Sequence, residues 1–466
     1  MRELHDLTAL ELGAAVADGE VTAYELVNHF AAREDRVGAF VTRTTELALA
    51  RAEALTQAGR PDAAGPLWGV PTAIKDLNAT AGVRTTFGSA RYAAYVPEHS
   101  DDVVRAIEDA GLISLGKTSA PEFGTPCYTE SAVAPPAVTP YDTTRMAGGS
   151  SGGAAAAVAA GLVPLAQGSD GGGSIRIPAS CCGLVGFKPS RGRISAGPMY
   201  GDPTGLATNG PLARTVRDAA AYLDVMAGPA LGDPAWAPPV AHGAFLAACD
   251  MPPTRLRIAR FATPAIVDAP VHPEVMSAYE NATRLLTNLG HEVIDIPNPL
   301  PPNAVETFET CWSVLTALSV PEGTEDDVQP LTRWLALRGR AVSGPGFGLA
   351  IGELRRVGAA MIRGLAAYDA VLTPTLAQPP LPVGALRNDA DPAADFAAQK
   401  AFTPWTSLWN VTGMPAASLP LHRTPDGLPI GVMLAGRPAR DDLLLALCAQ
   451  VEDAAGGFAR HTPPGW

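Results

Sequence analysis

The sequence predicts a layered α/β fold, and three stretches carry that prediction. Each reads as a helix closed by a glycine and followed at once by a short apolar run. They are Ser100–Leu115, Gly153–Gln167 and His272–Ile296. A helix buries one stripe and a short apolar strand buries both faces, so the two must share a core, and helices stack on a sheet. The chain has 466 residues, 47% hydrophobic and only 17% charged. That is enough apolar material for a large core and unlike a disordered chain.

Taken in order, Thr22-Ala23-Tyr24-Glu25 reads as a capping box opening a helix to about Arg33. Thr45–Ala58, rich in alanine and leucine, is a second helix, and Gly59–Pro66 breaks it. Residues 1–60 are therefore expected to be an outer helical layer without chemistry. Trp68–Lys75 is a short buried strand with Lys75 at its end. In the first helix–glycine–strand unit, Ser100-Asp101-Asp102 supplies the cap and the acidic first turn. Val104, Ile107 and Ala110 continue one face, Gly111 ends the helix and Leu112–Leu115 is the strand. In the second unit an alanine run ends at Gly161. In the third, Val275, Tyr279, Ala282, Leu286 and Leu289 form the face and Gly290 closes it. Gly228–Pro253 is a Pro/Gly-rich surface connection. Tyr368–Pro374 and Val411–Pro420 read as further sheet, and Asp441–Asp453 as a closing helix opened by an acidic pair.

The net charge of −13 speaks against nucleic acid and against an anionic membrane surface as partners. No apolar run follows the charged Met1–Asp6, and none reaches about 18 residues, so neither a secretion signal nor a membrane span is expected. Cys127, Cys181, Cys182, Cys249, Cys311 and Cys448 lack metal-ligand spacing. Buried free thiols in a cytoplasmic protein, with no metal and no cofactor, are the expectation. The N-x-T triplets at Asn78, Asn281 and Asn410 carry no weight without a secretion signal.

Chemistry concentrates in Gly168–Pro178, where Gly171, Gly172 and Gly173 lead into Ser174. Glycine backbone can turn sharply and bring N–H groups close to one point, which suits an oxyanion, and the adjoining serine suits a nucleophile. Asp170 and Arg176 flank the turn and could pair across it. The plain reading is a glycine-rich turn with an incidental serine. A serine hydroxyl needs something to take its proton. Two stretches offer help: Ser150-Ser151, wrapped in Gly148–Gly153, and Lys75. The chain has four lysines, and the other 30 basic residues are arginines. Arginine cannot act as a base near neutral pH, whereas a desolvated lysine can. The plain reading of Lys75 is a solvated strand end.

These motifs together resemble the amidase signature family. The resemblance runs through Gly69–Asp76, Gly116–Phe123, Gly148–Gly153, Gly168–Pro178, Cys182–Pro189, Gly210–Arg214 and Leu428–Val432. It implies a large mixed β-sheet covered by helices on both faces, in a single amidase domain over 1–466. Within it, 61–227 would be the signature core, 228–255 the connection and 256–466 the C-terminal part, with a variable substrate-selecting segment at about 300–400. The resemblance also implies a Ser–Ser–Lys triad. Ser174 would be the nucleophile, Ser150 a bridging serine with an unusual cis peptide, and Lys75 the neutral base. The oxyanion hole would be the amides of Gly171, Gly172, Gly173 and Ser174, with Ser151, Asp170 and Arg176 in support. Within the family, Gly168–Arg193 and Pro404–Gly436 look most like bacterial amidases around the 6-aminohexanoate-cyclic-dimer hydrolases. This implies apolar linear or cyclic amide substrates, with aryl-amide, ester or carbamate side activity. Dimers are common in such enzymes, so a homodimer is admitted, though no interface is legible. The sequence departs from the family at Thr139–Asp142 and at Met146-Ala147, in the approach to Ser150.

Gly111–Thr118 satisfies the P-loop pattern, but its glycine follows a helix and its interior is strand-like, so nucleotide binding is not expected. Gly148–Gly152 satisfies the nucleophile-elbow pattern and would make Ser150 the nucleophile, but the stretch before it is turn-like. None of His242, His272, His291, His422 and His461 stands in a context that marks a base. A glutaminase subunit of a tRNA-dependent amidotransferase would share the triad, but the acidic balance and the C-terminal resemblance oppose it. A non-catalytic homologue is opposed by the intact triad. Lys117 and Lys188 read as structural. Trp312, Phe402, Trp405 and Trp409 could line an apolar pocket or belong to the core. Cys311 could touch substrate or be an inert thiol, and Ser131–Val138 could wall the site.

Overall fold

The computed structural model describes residues 2–459 and 462–464. Its strands are β1 (Phe40–Arg43), β2 (Pro71–Lys75), β3 (Ile113–Thr118), β4 (Leu165–Asp170), β5 (Val185–Lys188) and β6 (Thr208–Ala213). They continue with β7 (Arg257–Arg260), β8 (Glu292–Asp295), β9 (Ala370–Pro374), β10 (Ala416–Arg423) and β11 (Pro429–Gly436). Eight of them form one mixed sheet in the order β4-β6-β5-β10-β11-β9-β7-β8. The β7–β8 and β7–β9 pairs are parallel, and the β4 to β9 stretch is antiparallel.

Side-chain alternation shows how this sheet is covered. Along β11, Ile430, Val432 and Leu434 enter one apolar cluster, while Met433 and Ala435 enter another. Along β9, Ala370 and Leu372 face the first and Val371 the second. Successive strand residues point to opposite faces, so the sheet lies between two cores. The first takes Val275, Ala278, Tyr279, Ala282 and Leu286 from the helix Pro273–Asn288. The second takes Leu354, Val357 and Met361 from Gly344–Gly364, with Trp405 and Trp409. Each buried Val, Leu or Met among them contributes roughly 1.5–3 kcal/mol, and each alanine less. The result is an α/β fold with helices on both faces.

The remaining strands form a small sheet, β1-β3-β2. Its β2 lies beside β4 without pairing to it. Side chains make the join: the Lys75 N–H donates to Gln167 Oε1 at 2.9 Å and Thr72 Oγ1 to the Leu165 carbonyl at 3.3 Å. This brings the end of β2 to the glycine-rich turn after β4.

The helix–glycine–strand units form at Asp102–Asp109 with β3, Gly152–Ala159 with β4 and Pro273–Asn288 with β8. Gly111, Gly161 and Gly290 all have positive φ. Three readings need correction. Residues 1–60 are not wholly helical, because Phe40–Arg43 pairs antiparallel with β3. Val411 and Thr412 close a short helix, Leu408–Thr412, and the strand begins only at Ala416. Asp101 does not cap its helix, because its carboxylate accepts from Asn78 and the Ala79 amide instead. Much of the P-loop-like stretch is strand β3, so it forms no phosphate-binding loop. No helix among the described residues is long and apolar enough to cross a membrane.

Candidate active site

Lys75 is fully buried at the end of β2. Its Nζ lies 2.8 Å from Ser150 Oγ, 2.9 Å from Ser169 Oγ and 3.3 Å from the Ser169 carbonyl. Burial pushes the ammonium down from 10.5 to about 7, against a smaller upward pull from the Asp170 carboxylate.

Ser150 stands just before the helix Gly152–Ala159, after a cis Gly149–Ser150 peptide. Gly149 packs on main chain: a Cβ there would come within 2.7 Å of the Tyr128 carbonyl carbon, so only glycine fits. Thr129 Oγ1 ties the turn, donating to the Gly148 carbonyl at 2.9 Å and accepting from the Gly152 amide at 3.2 Å. Ser151 links this turn to the next one. Its amide donates to the Ser174 carbonyl at 3.1 Å and its hydroxyl to the Ser169 carbonyl at 3.1 Å.

Asp170 organises the turn that carries Ser174. Its Oδ1 accepts from the Gly173 amide, Arg176 Nη2 and Asn410 Nδ2, each at 2.8 Å. Its Oδ2 accepts from Arg176 Nε at 2.9 Å and the Ile175 amide at 3.2 Å. Burial alone would raise this carboxyl, but the Arg176 guanidinium first, with Lys188 and Asn410, holds it at about 2. Arg176 also reaches the Thr406 carbonyl at 2.7 Å, and Thr406 Oγ1 donates to the Gly172 carbonyl at 2.6 Å. The expected Asp170–Arg176 pair therefore forms, fully buried.

The set of amide donors is narrower than expected. The Gly173 N–H is turned onto Asp170 and has its acceptor. The amides of Gly171, Gly172 and Ser174 make no hydrogen bond among the described residues, and neither does Ser174 Oγ. Ser174 lines a cleft of about 760 Å³, counting its open mouth. Ile177, Ile266, Leu300, Phe308, Leu408 and Val411 make its walls apolar. Trp312 lines it too, stacked on Phe308 with ring centroids 5.4 Å apart. Phe402, Trp405 and Trp409 are core residues and do not line it. Ser131–Val138 does not line it either, and Thr125–Cys127 take that wall. Cys311 is buried outside the lining, and burial first, then Asp202, raises its thiol to about 11, which suits an inert group.

The rival sites separate from this centre. Lys117 Nζ donates to the Asn78 carbonyl at 2.6 Å and Thr85 Oγ1 at 2.8 Å, and Lys188 Nζ to the Pro189 carbonyl at 2.8 Å. His272 accepts from the Glu274 amide, His291 from the Leu256 amide, and His422 contacts Glu274. None of these contacts involves Ser150, and His461 lies outside the described residues.

Three site residues were not singled out in the sequence. Ser169 and Gln167 share one face of β4, and both reach Lys75. Strand alternation across Gln167–Ser169 was the available signal. Asn410 lies far along the chain and had no local signal beyond its buried setting.

The family model for amidases matches residues 22–445. The chain belongs to the amidase family. It is an enzyme that hydrolyses carbon–nitrogen bonds. Among its amidase relatives is the 6-aminohexanoate-cyclic-dimer hydrolase of Paenarthrobacter ureafaciens, 33% identical over 96% of this chain and 94% of that one. A structure of 6-aminohexanoate cyclic dimer hydrolase complexed with substrate superposes with a TM-score of 0.92 at 32% identity, covering 99% of both chains. A bacterial aryl acylamidase of the amidase signature family superposes with a TM-score of 0.86 at 27% identity, covering 97% of this chain and 96% of the other.

Proposed function

We propose that the chain hydrolyses small apolar amides, linear or cyclic, through an acyl-enzyme on Ser174. The observation that carries this reading is Lys75, buried and held at about 7, against Ser150. A neutral amine has two N–H donors and one lone pair. Ser169 offers two acceptors, its hydroxyl and its carbonyl, so the lone pair is left for the Ser150 O–H. Lys75 takes the Ser150 proton and Ser150 takes the Ser174 proton as Ser174 attacks the amide carbon. On this reading the Ser174–Ser150 hydrogen bond forms when substrate is bound, as catalytic hydrogen bonds are often long in the free enzyme. The oxyanion is received by the free amides at Gly171, Gly172 and Ser174, each worth roughly 3–4 kcal/mol in kcat terms. The proton returns through the same relay to the leaving amine, and water then releases the acid. Aryl amides, esters and carbamates are side substrates on this reading, because they present the same carbonyl to the same apolar cleft.

The test is a serine-directed fluorophosphonate followed by peptide mapping. Label should fall on Ser174 and be absent from Ser174→Ala and Lys75→Ala. Label on Ser150 would instead make Ser150 the nucleophile.

A further inference from the structure

The cleft holds a pair of charges for which amide hydrolysis itself has no use. Among the described residues lining it, the only charged side chains are Glu309 and Lys400. Lys400 Nζ donates to Glu309 Oε1 at 2.6 Å, with side chains only 26% and 18% exposed. Glu309 belongs to the helix Ala304–Ser319, which also presents Val305, Phe308 and Trp312 to the cleft. The spacing of these residues places them on one helix face. Lys400 comes from the facing helix Pro392–Phe402 and lies over the Phe396 ring, 5.6 Å from its centroid.

A third charge breaks the symmetry of the pair. Arg338, on the helix Pro330–Arg340, holds Glu309 from another side at 3.5 Å. One carboxylate thus serves two cations, and the cluster carries a surplus positive charge. If Lys400 swings onto a new anion, Glu309 keeps Arg338 and no charge is left unpaired. If Glu309 were to take a new cation, it would gather three cations around one carboxylate. Exchange is therefore favourable for an incoming carboxylate and unfavourable for an incoming ammonium. The lysine stem is long and flexible enough for the swing.

We infer that Lys400 is a specificity residue that receives a carboxylate at the far end of an otherwise apolar amide substrate. The inference rests on the amidase reading of this same cleft. It names the substrate class as ω-carboxy amides.

The test uses anilides of dicarboxylic acids from succinic to pimelic, each with its methyl ester and with the ω-amino analogue of matched length. Two readouts are taken: kcat/KM of the full-length enzyme, and Kd on Ser174→Ala by calorimetry. At one chain length the free acid should bind and react about tenfold or more better than its ester, with the ammonium analogue weakest. Lys400→Met should bring the acid-to-ester ratio to about one, and Lys400→Arg should restore part of it. The Kd comparison keeps the two claims apart. Binding preference without turnover supports the carboxylate site at Lys400 and overturns the proposed apolar-amide chemistry at Ser174. Turnover or binding indifferent to the carboxylate at every length overturns the inference alone. So does an unchanged ratio in Lys400→Met, or a preference for the ammonium.

Discussion

On the proposed relay, Lys75 sets where activity is lost on the acid side. With its ammonium at about 7, the neutral fraction falls to about a tenth at pH 6 and about a hundredth at pH 5. On an anilide, kcat/KM should follow it, with unit slope below pH 7 and a plateau above. A solvated lysine would leave about one molecule in three thousand neutral at pH 7, and the rate would still be climbing at pH 9. The same shift acts on stability. The unfolded chain protonates Lys75 near 10.5, the folded chain only near 7. Between those values the unfolded chain binds more protons, so this group makes stability rise with pH across that window and is flat outside it. Below pH 7 its full destabilising contribution is present, about 5 kcal/mol over the whole gap. Lys75→Met removes it but leaves Ser150 and Ser169 short of a partner, at about 1–3 kcal/mol. The variant should be inactive at pH 7, yet more stable by about 2–4 kcal/mol, with that gain gone by about pH 10. Urea midpoints of both proteins at the two pH values measure this. An acid limb flat down to pH 5, or a gain that does not shrink with pH, refutes a neutral buried lysine.

Four substitutions probe the walls and the turn. Gly173 has φ +133° and its Cβ would meet Thr406 at 2.6 Å, so Gly173→Ala should lower the unfolding free energy by about 2–4 kcal/mol. Gly172→Ala, with Phe308 no nearer than 3.7 Å, should fold normally and serves as its control in the same denaturation series. Trp312→Ala should cut kcat/KM about tenfold on apolar amides, mainly through KM, because it removes a cleft wall and not a reacting group. Asp170→Asn should lose about 3–5 kcal/mol in chemical denaturation, because it leaves Arg176 buried without its anion.

Legibility in the sequence followed the range of the interaction. The helix Thr45–Ala58 has the expected bounds, and the Thr22–Glu25 capping box forms, because caps and periodicity act within one or two turns. Strand β1 escaped because its four residues gain meaning only from pairing with β3, some 70 residues on. Val411 and Thr412 favour strands, and Val411–Pro420 reads as sheet, but tertiary packing at Leu408–Thr412 overrides that weak preference. In the site, Lys75, Ser150 and Ser174 were legible from chemistry and from the family resemblance. The inward turn of the Gly173 amide was not, because it depends on which way one peptide plane faces. The pocket wall at Thr125–Cys127 was equally hidden: the Cys127 amide donates to Gln399 Oε1 at 2.9 Å, a contact across 272 positions.

Asp170 must satisfy two demands that pull in opposite directions. Holding the Ser174 turn requires an ionised carboxylate, since five donors converge on it. An ionised carboxylate near a buried lysine favours the protonated amine, which would idle the base. The structure reconciles these demands through Arg176, whose two-pronged contact at 2.8 and 2.9 Å gives the carboxylate its own cation. Burial then outweighs the remaining pull of Asp170 on Lys75. Asp170→Asn keeps an oxygen for the Gly173 amide but deletes that pull, so the acid limb of its residual activity should move below the wild-type limb. The shape of the pH profile is readable even at low activity, and a loosened turn alone would lower the plateau without moving the limb. A limb that stays in place or moves to higher pH would mean that Lys75 does not feel Asp170, and that its low value has another origin.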